Sequence, residues 1–340
     1  MKILYLISAI ALLFLVSSCA SNNKTAEQPI RSGYYKKDAS QTRIGEWSRE
    51  NMDLVARVQG TVFYRTYQFD PNQQLTKTDF SETGFEGRSL GIITQNESRA
   101  GTAVVLSESN GNAALLTADH IVNYPDTVWH YSDNSPFSNK QVVEAVSVKA
   151  RSSYSVFIGD NFGPADVIIN NRSLDLAVLS TRFEIDEELV RGSIRAGDSD
   201  RLEWADFVYA IGYPKGVKMI TSGIVSKTDR IRGNGFSTDA SFNRGFSGGM
   251  ILAINSETSL PEWVGMLSSS TSSIEYVLVP EQINMNDYRP EIPYTDTIYV
   301  ERKNRINYGI THAVSINQIR IFLERNRDIL SEFGYGLQQF

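Results

Sequence analysis

The sequence predicts an all-β fold, a barrel or a sandwich, with a short helix before it and another after it. Two observations carry this. Between positions 100 and 270, short β-rich runs alternate with clusters of Gly, Asn, Asp and Ser, the pattern of many short strands joined by turns. Helical spacing of apolar residues is confined to the two ends of that region, near 46–57 and after 315.

The chain begins with what reads as a secretory signal, residues 1–18. Lys2 supplies the positive start, and 3–16 is an apolar run interrupted only by Tyr5 and Ser8. That run is shorter than the ~20 residues needed to span a bilayer. It ends in Val16-Ser17-Ser18-Cys19, and Cys19 is the only cysteine of the 340 residues. Residues 19–43 are polar, with few large apolar side chains, and read as a tether. The folded part is expected over 44–340.

Within it, Trp47, Met52, Leu54 and Val55 sit among polar residues in a loosely helical pattern. Residues 58–67 are β-branched and aromatic and predict a strand. Further strands are predicted at 103–106, 114–117, 142–150, 166–169, 176–180, 207–211, 223–226, 250–254 and 263–267. Segments 68–99, 125–165 and 272–306 read as enlarged loops. The closing segment starts with Ser315-Ile316-Asn317-Gln318, a capping box, and Ile316, Ile319, Phe322 and Leu323 follow on one helical face.

Composition narrows the function. Hydrophobic residues make up 41% and charged residues 21%, enough apolar material for a core. The net charge of -6 argues against nucleic acid as a partner. With one cysteine and three histidines (His120, His130, His312), no metal site of the usual Cys/His type is expected. No phosphate loop or dinucleotide fingerprint occurs, so no cofactor is expected.

Three patches carry chemistry, in the order His, Asp, Ser. Leu115-Leu116-Thr117-Ala118-Asp119-His120 places a histidine after an apolar strand. Leu174-Asp175-Leu176-Ala177-Val178-Leu179 places an acid in an apolar strand. Asn243-Arg244-Gly245-Phe246-Ser247-Gly248-Gly249 places a serine in a glycine-rich turn. A serine hydroxyl is a poor nucleophile until a base takes its proton, and histidine titrates in the range that suits a base. A buried carboxylate holds the imidazole in its tautomer and stabilises it once charged. Glycines beside the serine allow two N–H groups, those of Gly245 and Ser247, to converge as an oxyanion hole. Each residue alone has an ordinary structural explanation; the conjunction points to a catalytic triad of His120, Asp175 and Ser247.

The match then becomes specific. Gly197-Asp198-Ser199-Asp200-Arg201-Leu202, the run 207–216 (FVYAIGYPKG), Thr221-Ser222-Gly223-Ile224-Val225-Ser226, Gly101-Thr102-Ala103 ahead of the histidine, and 310–317 (ITHAVSIN) occur in the order expected of one family. Over 45–330, with interruptions, the chain resembles the HtrA (Deg) branch of trypsin-like serine proteases. The resemblance implies a chymotrypsin-like fold of two antiparallel six-stranded β-barrels, with His120 and Asp175 from the first and Ser247 from the second. It implies a serine endopeptidase acting on protein or peptide substrates, without the PDZ domain many members carry, and leaves homo-oligomer formation open. Phe246 stands where Asn or Asp is usual, and Met250 replaces a common proline.

By the same resemblance Ser241, six residues before the nucleophile, and Ser268, Ser269 and Ser270 line the primary substrate pocket. With no acid at its base, a small or medium apolar residue is the expected preference. Residues 16–19 resemble a bacterial lipobox, which implies a lipid on Cys19 and a lipoprotein at the cell envelope facing the periplasm. The competing expectation is a catalytically weak or inactive binding lipoprotein that uses 125–165 and 272–306 as its contact surface. The Cys19→Ala variant is expected to leave the membrane fraction after a carbonate wash with its fold intact; retention would refute the anchor.

Overall fold

Residues 39–80, 84–132, 141–184, 190, 192–228, 235–280, 291 and 298–336 are described by a computed structural model. The chain divides into two units, Met1–Thr42 and Arg43–Phe340. Residues 1–18, read as a secretory signal, and Cys19 lie outside the described residues.

Two closed barrels follow one another along the second unit. The first uses β1 (Val55–Gln68), β2 (Gly91–Ser109), β3 (Asn112–Thr117), β4 (Thr127–Tyr131), β5 (Val143–Ile158), β6 (Asn161–Asn171) and β7 (Leu176–Arg182). Its order is β1-β2-β3-β7-β6-β5, closed by β5 pairing back to β1, with β4 attached outside on β5. The second uses β8 (Arg195–Ala196), β9 (Phe207–Gly212), β10 (Met219–Thr228), β11 (Gly235–Thr238), β12 (Met250–Ile254), β13 (Pro261–Pro280) and β14 (Ile298–Ser315). Its order is β12-β9-β10-β11-β14-β13, closed by β13 pairing to β12, with β8 parallel on β13. Each barrel therefore has six antiparallel strands and one appended strand. Closure leaves the barrel strands without free edges.

All nine internal runs expected as strands lie on strands. The apolar runs of β3 and β7 are buried on both faces, which is why they read as unbroken rather than alternating. Leu115, Leu116, Val178 and Leu179 are fully buried there. Helix α1 (Ala39–Asn51) lies earlier than the 46–57 expected and takes in the end of the segment read as a tether. Gln41, Thr42 and Arg43 are exposed, so no apolar periodicity marks them. Val55, expected on the helix, opens β1 instead because it pairs with Val104 of β2. Trp47 packs on the core, and Asn51 accepts from the Ser193 N–H at 2.9 Å. The closing helix α3 (Ile316–Arg325) is capped by Ser315, which accepts from the Gln318 N–H, and it buries Ile316, Ile319, Phe322 and Leu323 as expected.

Each of the three segments read as enlarged loops contains strand among its described residues, although 69–90 has only short 3-10 turns. Residues 91–99 extend β2 along β1, 143–158 and 161–171 are β5 and β6, and 272–280 pairs with 298–306 as an arm of β13 and β14. The β2 extension is almost wholly exposed, so it lacks the burial pattern that marks a strand in sequence. An aromatic cluster of Phe69, Phe80, Phe85 and Trp129 seats the intervening segment on β1 and β5; the Phe69 and Phe80 rings are 4.7 Å apart.

The barrels are tied together at Thr102 on β2, which is fully buried. Its hydroxyl donates to the Gly245 carbonyl (2.7 Å) and accepts from the Tyr213 N–H (2.9 Å). Its N–H donates to the Ser247 carbonyl (2.8 Å), and its carbonyl accepts from the Thr117 hydroxyl (2.7 Å). Thr102→Val keeps the shape but orphans a buried donor and acceptor. It is expected to cost about 1–3 kcal/mol, read as a lower urea midpoint at unchanged slope; an unchanged midpoint would show that the tie contributes nothing.

Candidate active site

His120 lies in a single helical turn, α2 (Asp119–Val122), which follows directly on β3. Asp119 opens the turn and is buried. Its carboxylate accepts from the side-chain amides of Asn123 and Asn170, both at 2.9 Å. These bonds hold the turn in place, and the imidazole, 42% exposed, is presented at the surface of a cleft.

Asp175 sits in a turn immediately before β7 rather than within the strand as expected. Its N–H donates to the Arg172 carbonyl at 3.3 Å and its φ is +56°, a left-handed conformation that Asp tolerates better than most residues. The turn aims the carboxylate at His120. Nδ1 of His120 is 3.0 Å from both carboxylate oxygens. The His120 backbone N–H also donates to Oδ1 at 3.0 Å, and the Ser268 hydroxyl donates to Oδ2 at 2.5 Å. Burial alone would raise the Asp175 pKa, but the bonds from His120 and Ser268 outweigh it and hold it below the usual carboxylate range.

The turn that carries Ser247 is held from both sides. Gly245 (φ +103°) and Gly248 (φ +84°) take backbone conformations that a side chain would strain. A Cβ on Gly248 would lie 1.9 Å from the Thr102 carbonyl oxygen, and one on Gly245 would lie 2.3 Å from that of Tyr213. Phe246, between them, is buried in the second barrel beside Phe242. Its position accounts for an aromatic residue there: the ring anchors the turn from below. Among the described residues, no acceptor engages the N–H of Gly245 or of Ser247. The Ser247 hydroxyl donates to the Ser268 carbonyl at 3.1 Å, and no hydrogen bond joins it to His120.

His120, Asp175, Gly245, Ser247, Ser268 and Ser269 all line one cleft of ≈ 1250 Å³. Ser241 is exposed and does not line it; Phe242 does. Ser270 lies on β13 opposite Thr311. Ser268, expected only as a pocket wall, instead bonds both Asp175 and Ser247. Nothing local in the sequence signals this, because its two partners lie 93 and 21 positions away. The buried role of Asp119 was likewise unread, although an acid between Ala118 and His120 is the kind of buried charge that requires partners.

Residues 101–258 match the family model of the trypsin-like peptidase domain. Over 220 residues the chain is 28% identical to "Serine protease Do-like HtrA" of Bacillus subtilis (strain 168), covering 61% of this chain and 41% of that protein. Over 164 residues it is 30% identical to "Periplasmic pH-dependent serine endoprotease DegQ" of Escherichia coli (strain K12), covering 46% and 29%. A solved serine endoprotease from Yersinia pestis aligns over 86% of this chain and 67% of that one, with 19% identity and a TM-score of 0.44. The chain spans less than half the length of the curated relatives it matches.

The lowered Asp175 pKa makes a pH prediction. A carboxylate depressed in the fold stabilises it above its unfolded value, about 3.9, and that stability disappears as pH falls through the folded value. Asp175→Asn is therefore expected to lower the denaturation midpoint at pH 7 and to converge with the wild type at strongly acid pH. Parallel curves at all pH values would refute it.

Proposed function

We propose that this chain is an HtrA-type serine endopeptidase, held at the cell envelope on the periplasmic side by a lipid on Cys19, that cuts protein or peptide substrates. The convergence of His120, Asp175, Ser268 and Ser247 in one cleft carries the reading. The family match over 101–258 and the serine protease relatives support it.

In this mechanism the Ser247 hydroxyl leaves the Ser268 carbonyl for His120 Nε2, which takes its proton as Oγ bonds to the scissile carbonyl carbon. Asp175 holds the Nδ1–H and stabilises the imidazolium. The Gly245 and Ser247 N–H groups receive the oxyanion. His120 then protonates the leaving amine, and a water deprotonated by His120 releases the acyl group from Ser247. Ser268 fastens the carboxylate to the second barrel, so the two halves of the triad keep one geometry. Ser268 and Ser269 at the wall of the primary pocket, with Phe242 also lining the cleft, favour a small or medium apolar residue before the scissile bond.

A fluorophosphonate probe is expected to label the wild type and not Ser247→Ala. The same variant is expected to lose about 10⁴–10⁶ in kcat on an unfolded protein substrate, since triad members act as a unit. An unlabelled, inactive wild type would favour a binding protein that has kept the protease frame.

A further inference from the structure

We infer that the cleft selects acidic peptides, with carboxylates on both sides of the apolar residue at the scissile bond; this rests on the peptidase reading above. The cleft is lined by four cations, Arg99, Arg172, Lys215 and Arg244. The three carboxylates that line it are already engaged. Glu97 pairs with Arg99 at 2.8 Å, Asp119 is buried between two asparagine amides, and Asp175 is bound to His120. Arg172, Lys215 and Arg244 are exposed and have no carboxylate within ion-pair distance among the described residues.

Their placement brackets the nucleophile. The carbonyl of Arg172 closes the turn that carries Asp175, on the first barrel. Arg244 adjoins Gly245, and the Lys215 N–H donates to the Arg244 carbonyl at 3.0 Å, so these two sit together on the second barrel. A peptide lying across His120 and Ser247 therefore has a cation near it on each barrel. The chain as a whole carries a net charge of -6, so the cleft reverses the sign of the molecule locally. Charges beyond about 8 Å are screened at physiological salt, which leaves these cations to govern what enters. Each solvated ion pair contributes little, but three acting together are worth on the order of tenfold in kcat/KM.

The test uses the full chain and three internally quenched peptides with one apolar core, flanked on both sides by Glu, by Ser or by Lys. The Glu-flanked peptide is expected to be cut roughly tenfold faster than the Ser-flanked one, and the Lys-flanked one slowest, with the differences collapsing at about 0.5 M salt. The combined Arg172→Glu, Lys215→Glu and Arg244→Glu variant is expected to reverse the order of the three peptides. If that variant does not fold, the single Lys215→Gln and Arg172→Gln changes are each expected to narrow the preference. Equal rates for the three peptides, or a preference untouched by these changes, overturns the inference while leaving the peptidase reading intact. If no peptide is cut, the peptidase reading fails separately. Fluorescence anisotropy of the same peptides on Ser247→Ala then decides the inference: tighter binding of the acidic peptide supports the cationic cleft, and equal binding overturns it.

Discussion

The contact at Thr102 is the constraint from which the cleft follows. Two closed barrels have no strand edge left to share, so their relative placement must come from isolated hydrogen bonds and packed side chains. Thr102 supplies bonds to Gly245, Tyr213 and Ser247 from one buried residue. Three glycines make this approach possible. A Cβ on Gly248 would collide with the Thr102 carbonyl, one on Gly212 would meet the Thr102 hydroxyl at 2.8 Å, and one on Gly101 would meet the Ser247 carbonyl at 3.1 Å. The serine turn is thus shaped by the opposite barrel as much as by its own.

The carboxylate of Asp175 is shared in the same way. It takes bonds from the backbone and imidazole of His120 on its own barrel and from Ser268 on the other. Burial of an acid is costly unless such partners replace water. Here the partners also fix direction: with both oxygens occupied, the carboxylate cannot rotate, and the imidazole it holds cannot tip away from the cleft. The left-handed turn at Asp175 belongs to this arrangement, since it brings the side chain out of the line of β7 toward α2.

Paired strands make up part of what the barrels add beyond their closed cores. β1 and β2 run on together to Gln68 and Gly91, and β13 and β14 to Pro280 and Ile298. A paired ribbon satisfies its backbone groups without needing a core, which lets polar and exposed residues stay in strands. The aromatic cluster around Phe80 and Trp129 gives the first extension an apolar floor.

Local pattern determined a good part of this protein. Runs such as 114–117 and 176–180 are apolar enough that only buried strands accommodate them, and the Ser315 cap with its helical stripe needs no partner to be recognised. That His120, Asp175 and Ser247 line one cleft was foreshadowed by their surroundings in sequence: an apolar strand before the histidine, glycines around the serine. What the sequence left open has one physical cause, that it depends on residues far apart in the chain. The outer half of β2 is strand because β1 lies beside it, not because of its own residues. Ser268 reaches Asp175 only once the barrels meet, and Ser241 misses the cleft that Phe242 lines. Whether the serine hydroxyl faces the imidazole or the Ser268 carbonyl is a tertiary matter too, since both acceptors are brought to it by other parts of the fold, and the structure places it on Ser268.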